Sequence, residues 1–478
     1  MDLFTWNDMN EPSVFNGPEV SMPKDAKNLA GVEHREWHNL YGLYMQRATA
    51  EGLADRTPLD AAKGPAFKQR PFVLSRAFWA GSQKFGAIWT GDNTAEWGHL
   101  KVAAPMLLSI NLAGLSFAGS DVGGFFGEPG AELFTRWYQA GSFTPFFRGH
   151  AHHDTKRREP WVFGEPYTTI LRAAAMTRYS LLPYWYTVFY QAATLGLPVM
   201  RTMFSEYPHD PAVLAMQDQW MVGSALLVVP VTDSGRSSIE AYLPRGSWYS
   251  LYSLAKVEVG RDGTTAAEPA GGMQGQGRHV TLRAPLDTIP ALLRGGSIVP
   301  RKMRLRRSSK LMFFDPYTLV VVPSDAGRAE GRLYLDDEIS LAHEDPDAGM
   351  HAYRCVTSSS PQICFLICFI SSSIHLQCPF NLKFLTPPPF TFTLCRKFEF
   401  SGSSLSCSGS GRYAPPNTVE RIDIAGQSRA PTKATLRLAG GSAAPVDLTV
   451  VFDAATGVVT IKKPDCRVCN DWTIDLSY

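Results

Sequence analysis

Along residues 1–206, short apolar runs rich in β-prone residues alternate with longer segments whose apolar positions recur at helical spacing. The first run, Leu3 to Trp6, ends in the polar cluster Asn7-Asp8-Met9-Asn10-Glu11, and Pro12 stops regular structure. Over residues 34–55, Leu40, Leu43, Tyr44, Ala48 and Leu53 lie close to a helical repeat, which predicts a helix. Further helices are expected over 99–114 and 132–140, and one long amphipathic helix over 168–195. Strands are expected over 70–76, 115–121, 144–150 and 197–204, with an apolar run over 84–93 broken at Thr90-Gly91. Strands alternating with helices imply a parallel β/α architecture whose strand ends open on one face. Those ends carry Asp8, Arg76, Asp92, Asp121, Arg148 and His150.

From about residue 207 the pattern shortens into β-rich runs such as Ala225 to Val231, separated by Gly, Pro, Ser and Asp turns. That texture reads as antiparallel β-sandwich modules. A boundary is expected near 303, where Arg301 to Lys310 is basic. A solvated linker face is the expected role of that run, a nucleic-acid or localisation patch the alternative. Strand signals resume at Tyr317 to Val322 and Arg332 to Asp337. The domains expected are a β/α unit over 1–206, a proximal sandwich over 207–303 and a distal sandwich over 304–478.

Residues 355–395 stand apart: Lys383 is their only charged side chain, and Cys, Phe, Ser, Pro, Leu and Ile dominate. The apolar run Ile363 to Ile370 is too short to span a bilayer. Ser, Phe, Leu and Pro share pyrimidine-rich codons, so translated intron is the expected origin of this anomalous insert, with a genuine loop as the alternative.

Charge changes the picture by exclusion. Lys plus Arg number 46 against 44 Asp plus Glu, a net +2, so no global field marks a nucleic-acid or membrane binder. Hydrophobic residues at 45% supply real cores, and 11 Trp suit either a core or a sugar platform. The N-terminus lacks a signal-peptide pattern. Of the eight cysteines, only Cys466 and Cys469 form a C-x-x-C, a weak metal or redox signal read as free thiols.

Two aspartates at separate strand ends, each near a tryptophan, fit a sugar-cleaving site: Trp6 precedes Asp8, and Trp89 precedes Asp92. Retaining glycosidases set a nucleophilic carboxylate about 5–5.5 Å from a proton donor, one ionised and one protonated. The bland alternatives are an Asx-type turn at Asp8 and Asn10, and an Arg76 paired to a structural acid. The spacing of His150, His152, His153 and Asp154 also permits a zinc site, though such motifs carry many false positives.

The stretch Trp6-Asn7-Asp8-Met9-Asn10-Glu11-Pro12 resembles the signature of glycoside hydrolase family 31. Arg76 with Gly81-Ser82-Gln83, then Trp89-Thr90-Gly91-Asp92-Asn93, is similar to that family's acid/base block. Ser120 to Phe126 and Arg148-Gly149-His150-Ala151-His152 complete the ordered series. The resemblance implies the C-terminal part of a (β/α)8 barrel followed by two β-sandwich domains. It implies Asp8 as nucleophile and Asp92 as general acid/base, with Trp6, Arg76, Trp89, Phe125 and His150 lining the glucose subsite. Glu11, Asp121 and Arg148 become supports, and neither metal nor other cofactor takes part.

Within the family the pattern, including Arg157-Arg158-Glu159-Pro160-Trp161, is similar to members that trim α-1,3-linked glucose from N-linked glycans. Such members work in the endoplasmic reticulum lumen with a non-catalytic β subunit. The resemblance also sets Leu3 to Trp6 at the family's fourth barrel strand, so three earlier strands, a β-domain and a further substrate-binding aspartate are expected to be lacking here. Gly98 and Ser120 stand where an acid and an alanine are usual. An inactive fragment that keeps a subunit-binding surface is therefore the alternative function.

Overall fold

The computed structural model describes residues 3–56, 68–257, 277–341, 343, 394–411, 413–440 and 444–478. The anomalous stretch 355–395 lies outside them except for its last two residues.

Four strands form a parallel sheet in sequence order: β1 (Phe4–Asn7), β2 (Phe72–Ser75), β3 (Ala87–Trp89) and β4 (Ala118–Gly119). Helix α1 (His34–Arg56) connects β1 to β2, and α2 (Trp97–Leu112) connects β3 to β4. After Ser120 a second parallel pair follows, β5 (Asp121–Val122) with β6 (Arg148–Gly149), joined through α3 (Ala131–Gly141). The helix expected over 34–55 is present, but its buried stripe is rotated from the expected one. Gly42, Gln46, Ala50 and Ala54 face inward, four residues apart, while Tyr44 is 52% exposed. Small residues win because α1 lies close against the turn after β2: a Cβ on Gly42 would sit 2.5 Å from that of Ala77.

The long helix expected over 168–195 is two, α4 (Tyr167–Ser180) and α5 (Leu182–Leu195). They part at Leu181 because Pro183 lacks an N–H and its ring crowds the preceding turn. The strand expected over 197–204 shrinks to β7 (Met200–Arg201), followed at once by α6 (Met203–Glu206). It pairs antiparallel with β8 (Trp220–Val222), not with the parallel sheet. The buried Asn111 side chain accepts the Met200 N–H at 3.0 Å and fixes this position behind α2.

Five more strands complete a proximal module around β7 and β8: β9 (Leu226–Val228), β10 (Ser238–Leu243), β11 (Trp248–Ser250), β12 (Arg278–Arg283) and β13 (Ala291–Arg294). The sheet β11-β13-β9-β8-β7 packs Met221, Leu227 and Leu292 against Leu243, Val280 and Leu282 of the β10–β12 pair. Its other face sends Trp220, Leu226 and Leu293 into the core shared with α2, α3 and α5.

Ten strands then follow: β14 (Ser297–Arg301), β15 (Tyr317–Val322), β16 (Arg328–Leu335), β17 (Leu394–Ser401), β18 (Ser404–Gly411), β19 (Thr418–Ile424), β20 (Lys433–Leu438), β21 (Val446–Asp453), β22 (Val458–Arg467) and β23 (Trp472–Ser477). Where the pattern predicts a sandwich, hydrogen bonding closes them into one ring, β16 returning to β14 at Glu330↔Ser297. Closure leaves no free edge. Leu319, Ile422, Ile461, Phe398 and Trp472 fill the interior. On the outer face Val299, Val320 and Val458 join the core of the helical region.

Two cations tie these parts together. Arg136 of α3, 2% exposed, donates to the carbonyls of Arg236, Ala284, Pro285 and Thr288 in the proximal module. Arg70, just ahead of β2, donates to Asp336 at 2.7 Å and to the Tyr186 hydroxyl, and Tyr186 and Tyr334 donate to the same carboxylate. The basic run expected as a solvated face is partly buried: Lys302, 5% exposed, donates to the carbonyls of Met312 and Phe313 and lies over the Tyr317 ring. These carbonyls and the ring replace its water.

Asp336→Ala removes the carboxylate shared by one Arg70 nitrogen and two tyrosine hydroxyls. The expected loss is about 3–5 kcal/mol, the range for removing one partner of a buried pair, measured by denaturant unfolding.

Candidate active site

The register of β1 and β2 puts Asn7 opposite Ser75, so the next residues, Asp8 and Arg76, leave the sheet side by side. The Arg76 N–H continues the ladder by donating to the Asn7 carbonyl at 3.0 Å. Met9 then takes φ 55°, a conformation costly to a residue with a Cβ. Its N–H donates to Asp8 Oδ1 at 2.9 Å. The buried Asn10 does not serve its own turn. Its amide donates to Ser75 Oγ at 2.8 Å and its carbonyl oxygen accepts the Ala77 N–H at 2.9 Å, clasping the turn after β2.

Arg76 is the hub. Its Nε and Nη2 donate to the two oxygens of Glu11 at 2.7 and 3.0 Å. Its Nη1 lies 3.2 Å from Asp8 Oδ1 and 3.9 Å from Asp92 Oδ2. Two oxygens so near one nitrogen are separated by no more than the sum of those distances, a span that includes the about 5–5.5 Å of retaining glycosidases. These hydrogen bonds pull the Glu11 carboxyl below its ordinary pKa and raise that of the guanidinium. Different nitrogens of this one side chain thus face Glu11 and the two aspartates.

Below this cluster Asp121 is fully buried. Arg148 donates to its Oδ1 at 2.5 and 3.2 Å, while Oδ2 has no hydrogen-bond partner. Burial outweighs the Arg148 charge and pushes the Asp121 carboxyl up to about 6. The Arg148 guanidinium stands 5.1 Å from the ring centres of both Trp6 and Trp89. Trp6 is 44% exposed and meets His150 edge-on at 5.1 Å, and His150 stacks on Phe125 at 5.4 Å. Burial and the nearby Arg148 hold His150 below its ordinary pKa, so its ring is neutral at neutral pH. Trp89, expected to line the pocket, is 1% exposed and supports Trp6 from beneath.

Residues without an assigned part in the sequence complete the frame. The Asn93 side chain donates to the Asp121 carbonyl and accepts the Phe125 N–H. Arg158 donates to the carbonyls of Gly123, Gly124 and Gly127, holding the loop that carries Phe125. That loop turns through Gly123 and Gly124 at φ 90° and 85°, and a Cβ on Gly124 would sit 2.3 Å from the Ala95 nitrogen. The neighbouring His152, His153 and Asp154 bring one ligand-type atom each within 4.8 Å of one another on an exposed turn, where His152 packs against Phe125 and Phe126.

Comparison with known proteins supplies the family. The model of the glycosyl hydrolases family 31 TIM-barrel domain matches residues 2–188, and that of the glycosyl hydrolase family 31 C-terminal domain matches 196–299. The chain is 43% identical to neutral alpha-glucosidase AB of Dictyostelium discoideum, over 100% of its own length and 44% of the relative's. It is 43% identical to a probable glucan 1,3-alpha-glucosidase of Arabidopsis thaliana, over 99% and 45%. A crystal structure of ER glucosidase II, a heterodimer of catalytic subunit and the binding domain of the regulatory subunit, superposes with a TM-score of 0.81 at 38% identity, covering 99% of this chain and 46% of that one. The chain thus spans less than half the length of these relatives.

The raised Asp121 pKa has a definite sign. The folded state holds this proton more tightly than the unfolded chain, so stability is lost as pH rises from about 4 to about 6 and is level above. Melting curves of the wild type minus those of Asp121→Asn are expected to fall through that window. A flat difference would place the titration elsewhere.

Proposed function

Because the chain belongs to glycosyl hydrolase family 31, we propose that it carries the reacting groups of an exo-acting, retaining α-glucosidase. The approach of Asp8 and Asp92 to the same nitrogen of Arg76 is the observation that carries this reading. Asp8 attacks the anomeric carbon of a terminal α-glucose, forming a carboxyl–carbon bond as the bond to the leaving oxygen breaks. Asp92 gives its proton to that oxygen, then takes one from the water that releases glucose.

Arg76 orients Asp8 while Glu11 fixes the guanidinium plane. Trp6 offers a ring face for the sugar, and the neutral His150 exchanges a hydrogen bond with a hydroxyl. Phe125 walls the pocket, Trp89 backs Trp6 from beneath, and Asp121 with Arg148 keeps the tryptophans in place. No metal or cofactor enters this scheme. The substrate class that fits is an α-1,3-linked glucose on an N-linked glycan of a glycoprotein, processed in the endoplasmic reticulum lumen beside a non-catalytic β subunit. The names of the relatives support it: a glucan 1,3-alpha-glucosidase and an ER glucosidase II bound to a regulatory subunit.

A second reading, a non-catalytic chain that keeps a subunit-binding surface, draws on β1. That strand pairs with β2 alone among the described residues, and its Phe4 and Trp6 are 72% and 44% exposed. Little or no turnover of an aryl α-glucoside by residues 1–478 is the expected result.

An activated glucosyl fluoride separates chemistry from turnover, since its leaving group needs no acid. Asp92→Ala is expected to accumulate a glucosyl adduct on the peptide that contains Asp8, seen by mass spectrometry, and Asp8→Asn to abolish it. An adduct on another residue would overturn the assignment.

A further inference from the structure

A cavity of about 730 Å³, its wall rich in charged side chains, opens between the turn after β11 and the outer face of the distal ring. Four strands present one row of side chains to it. Arg301 of β14 lies opposite Thr318 of β15, Thr318 beside Arg421 of β19, and Arg421 opposite Lys462 of β22. Residues in register share a sheet face, so three cations and a hydroxyl stand in line. Two positions along the same face, Val299 and Val320 enter the apolar core. The row begins where that docked surface ends.

Like charges directly opposed across a ladder repel. Asp423 neutralises Arg421 at 2.8 Å, and Glu420 neutralises Arg304 at 2.7 Å. Among the described residues no carboxylate forms an ion pair with Arg301, Lys462 or Lys463. Arg301 gives one N–H to Ser180 at 2.8 Å, but its Nε is buried without a partner. Thr318, 2% exposed, has an unpartnered Oγ1 on the same row. Lys463 is held at φ 49° beside them, the left-handed region. Asp453, the third carboxylate of the wall, accepts from Ala455 and Thr456 of its own turn, and the two unpartnered atoms, Arg301 Nε and Thr318 Oγ1, are both donors.

We propose that this cavity binds a phosphate-type oxyanion, either free or carried on a hexose as a phosphomonoester. Guanidinium, ammonium and hydroxyl donors converging on one face match the oxygens of such an anion. The volume falls in the range of small-molecule sites, roughly 300–1,000 Å³, and exceeds the needs of a lone phosphate. Tyr252 lines the same cavity and is 49% exposed, a ring available to a sugar face.

Calorimetric titration of the whole chain with orthophosphate, and separately with glucose 6-phosphate, tests this at low ionic strength. One anion is expected to bind per chain, more weakly as salt is added. Lys462→Glu, at an exposed position, is expected to weaken binding at least tenfold, and Lys463→Glu serves if that variant does not fold. Thr318→Val is expected to weaken it about threefold, and Asp8→Asn not at all. Equal affinity for the two anions identifies free phosphate as the ligand, and tighter binding of glucose 6-phosphate identifies the ester. Binding of neither anion, binding indifferent to both lysine reversals, or binding lost in Asp8→Asn would overturn the proposal.

Discussion

Three carboxylates meet at one end of the parallel sheet, and a single guanidinium makes that meeting possible. Asp8, Glu11 and Asp92 would repel one another if brought together unaided. Arg76 binds Glu11 with two nitrogens and keeps its third toward the two aspartates. The planar fork matters, because a lysine ammonium could not hold one carboxylate in a fixed plane and still face two others. Everything behind Arg76 serves its position. The β1–β2 register places it next to Asp8, Asn10 clasps the turn that follows it, and Arg70 anchors the start of its strand to Asp336 of the distal ring.

Beneath this polar layer lies a second one of opposite character. Asp121 and Arg148 form a buried pair whose guanidinium touches both tryptophan rings. Desolvation there raises the Asp121 carboxyl to about 6, whereas Glu11, partly exposed and doubly bonded to Arg76, is driven the other way. Environment, not residue type, separates the roles of these acids.

Much of this was legible in the chain. Helical spacing located α1, α2 and α3, and the strand ends carrying Asp8, Arg76 and Asp92 converge as a parallel β/α arrangement requires. What escaped was governed by contacts between distant parts. The inward stripe of α1 consists of small residues selected by closeness to Ala77, which periodicity of large residues does not register. Pro183 divides a pattern that otherwise continues, and β7 is claimed by β8 because Asn111 holds its backbone. Closure of the distal strands depends on β16 meeting β14, a pairing no local signal encodes. Asn10, Asn93 and Arg158 bond backbone atoms of other segments, so their parts emerge only in three dimensions.

The four carbonyls around Arg136 have a bearing on how the molecule assembles. A guanidinium buried with no carboxylate in ion-pair contact among the described residues is solvated by backbone dipoles in the way a bound ion would be, and all four belong to chain segments about a hundred or more residues downstream. Helix α3 therefore cannot leave water on its own, since its charge would be stranded until those downstream loops have taken shape. Nor can the loops close without it, because four carbonyls would then face one another across an empty centre. Helical layer and proximal sheets are committed to consolidate in a single cooperative step, with the same arginine serving as the template for both.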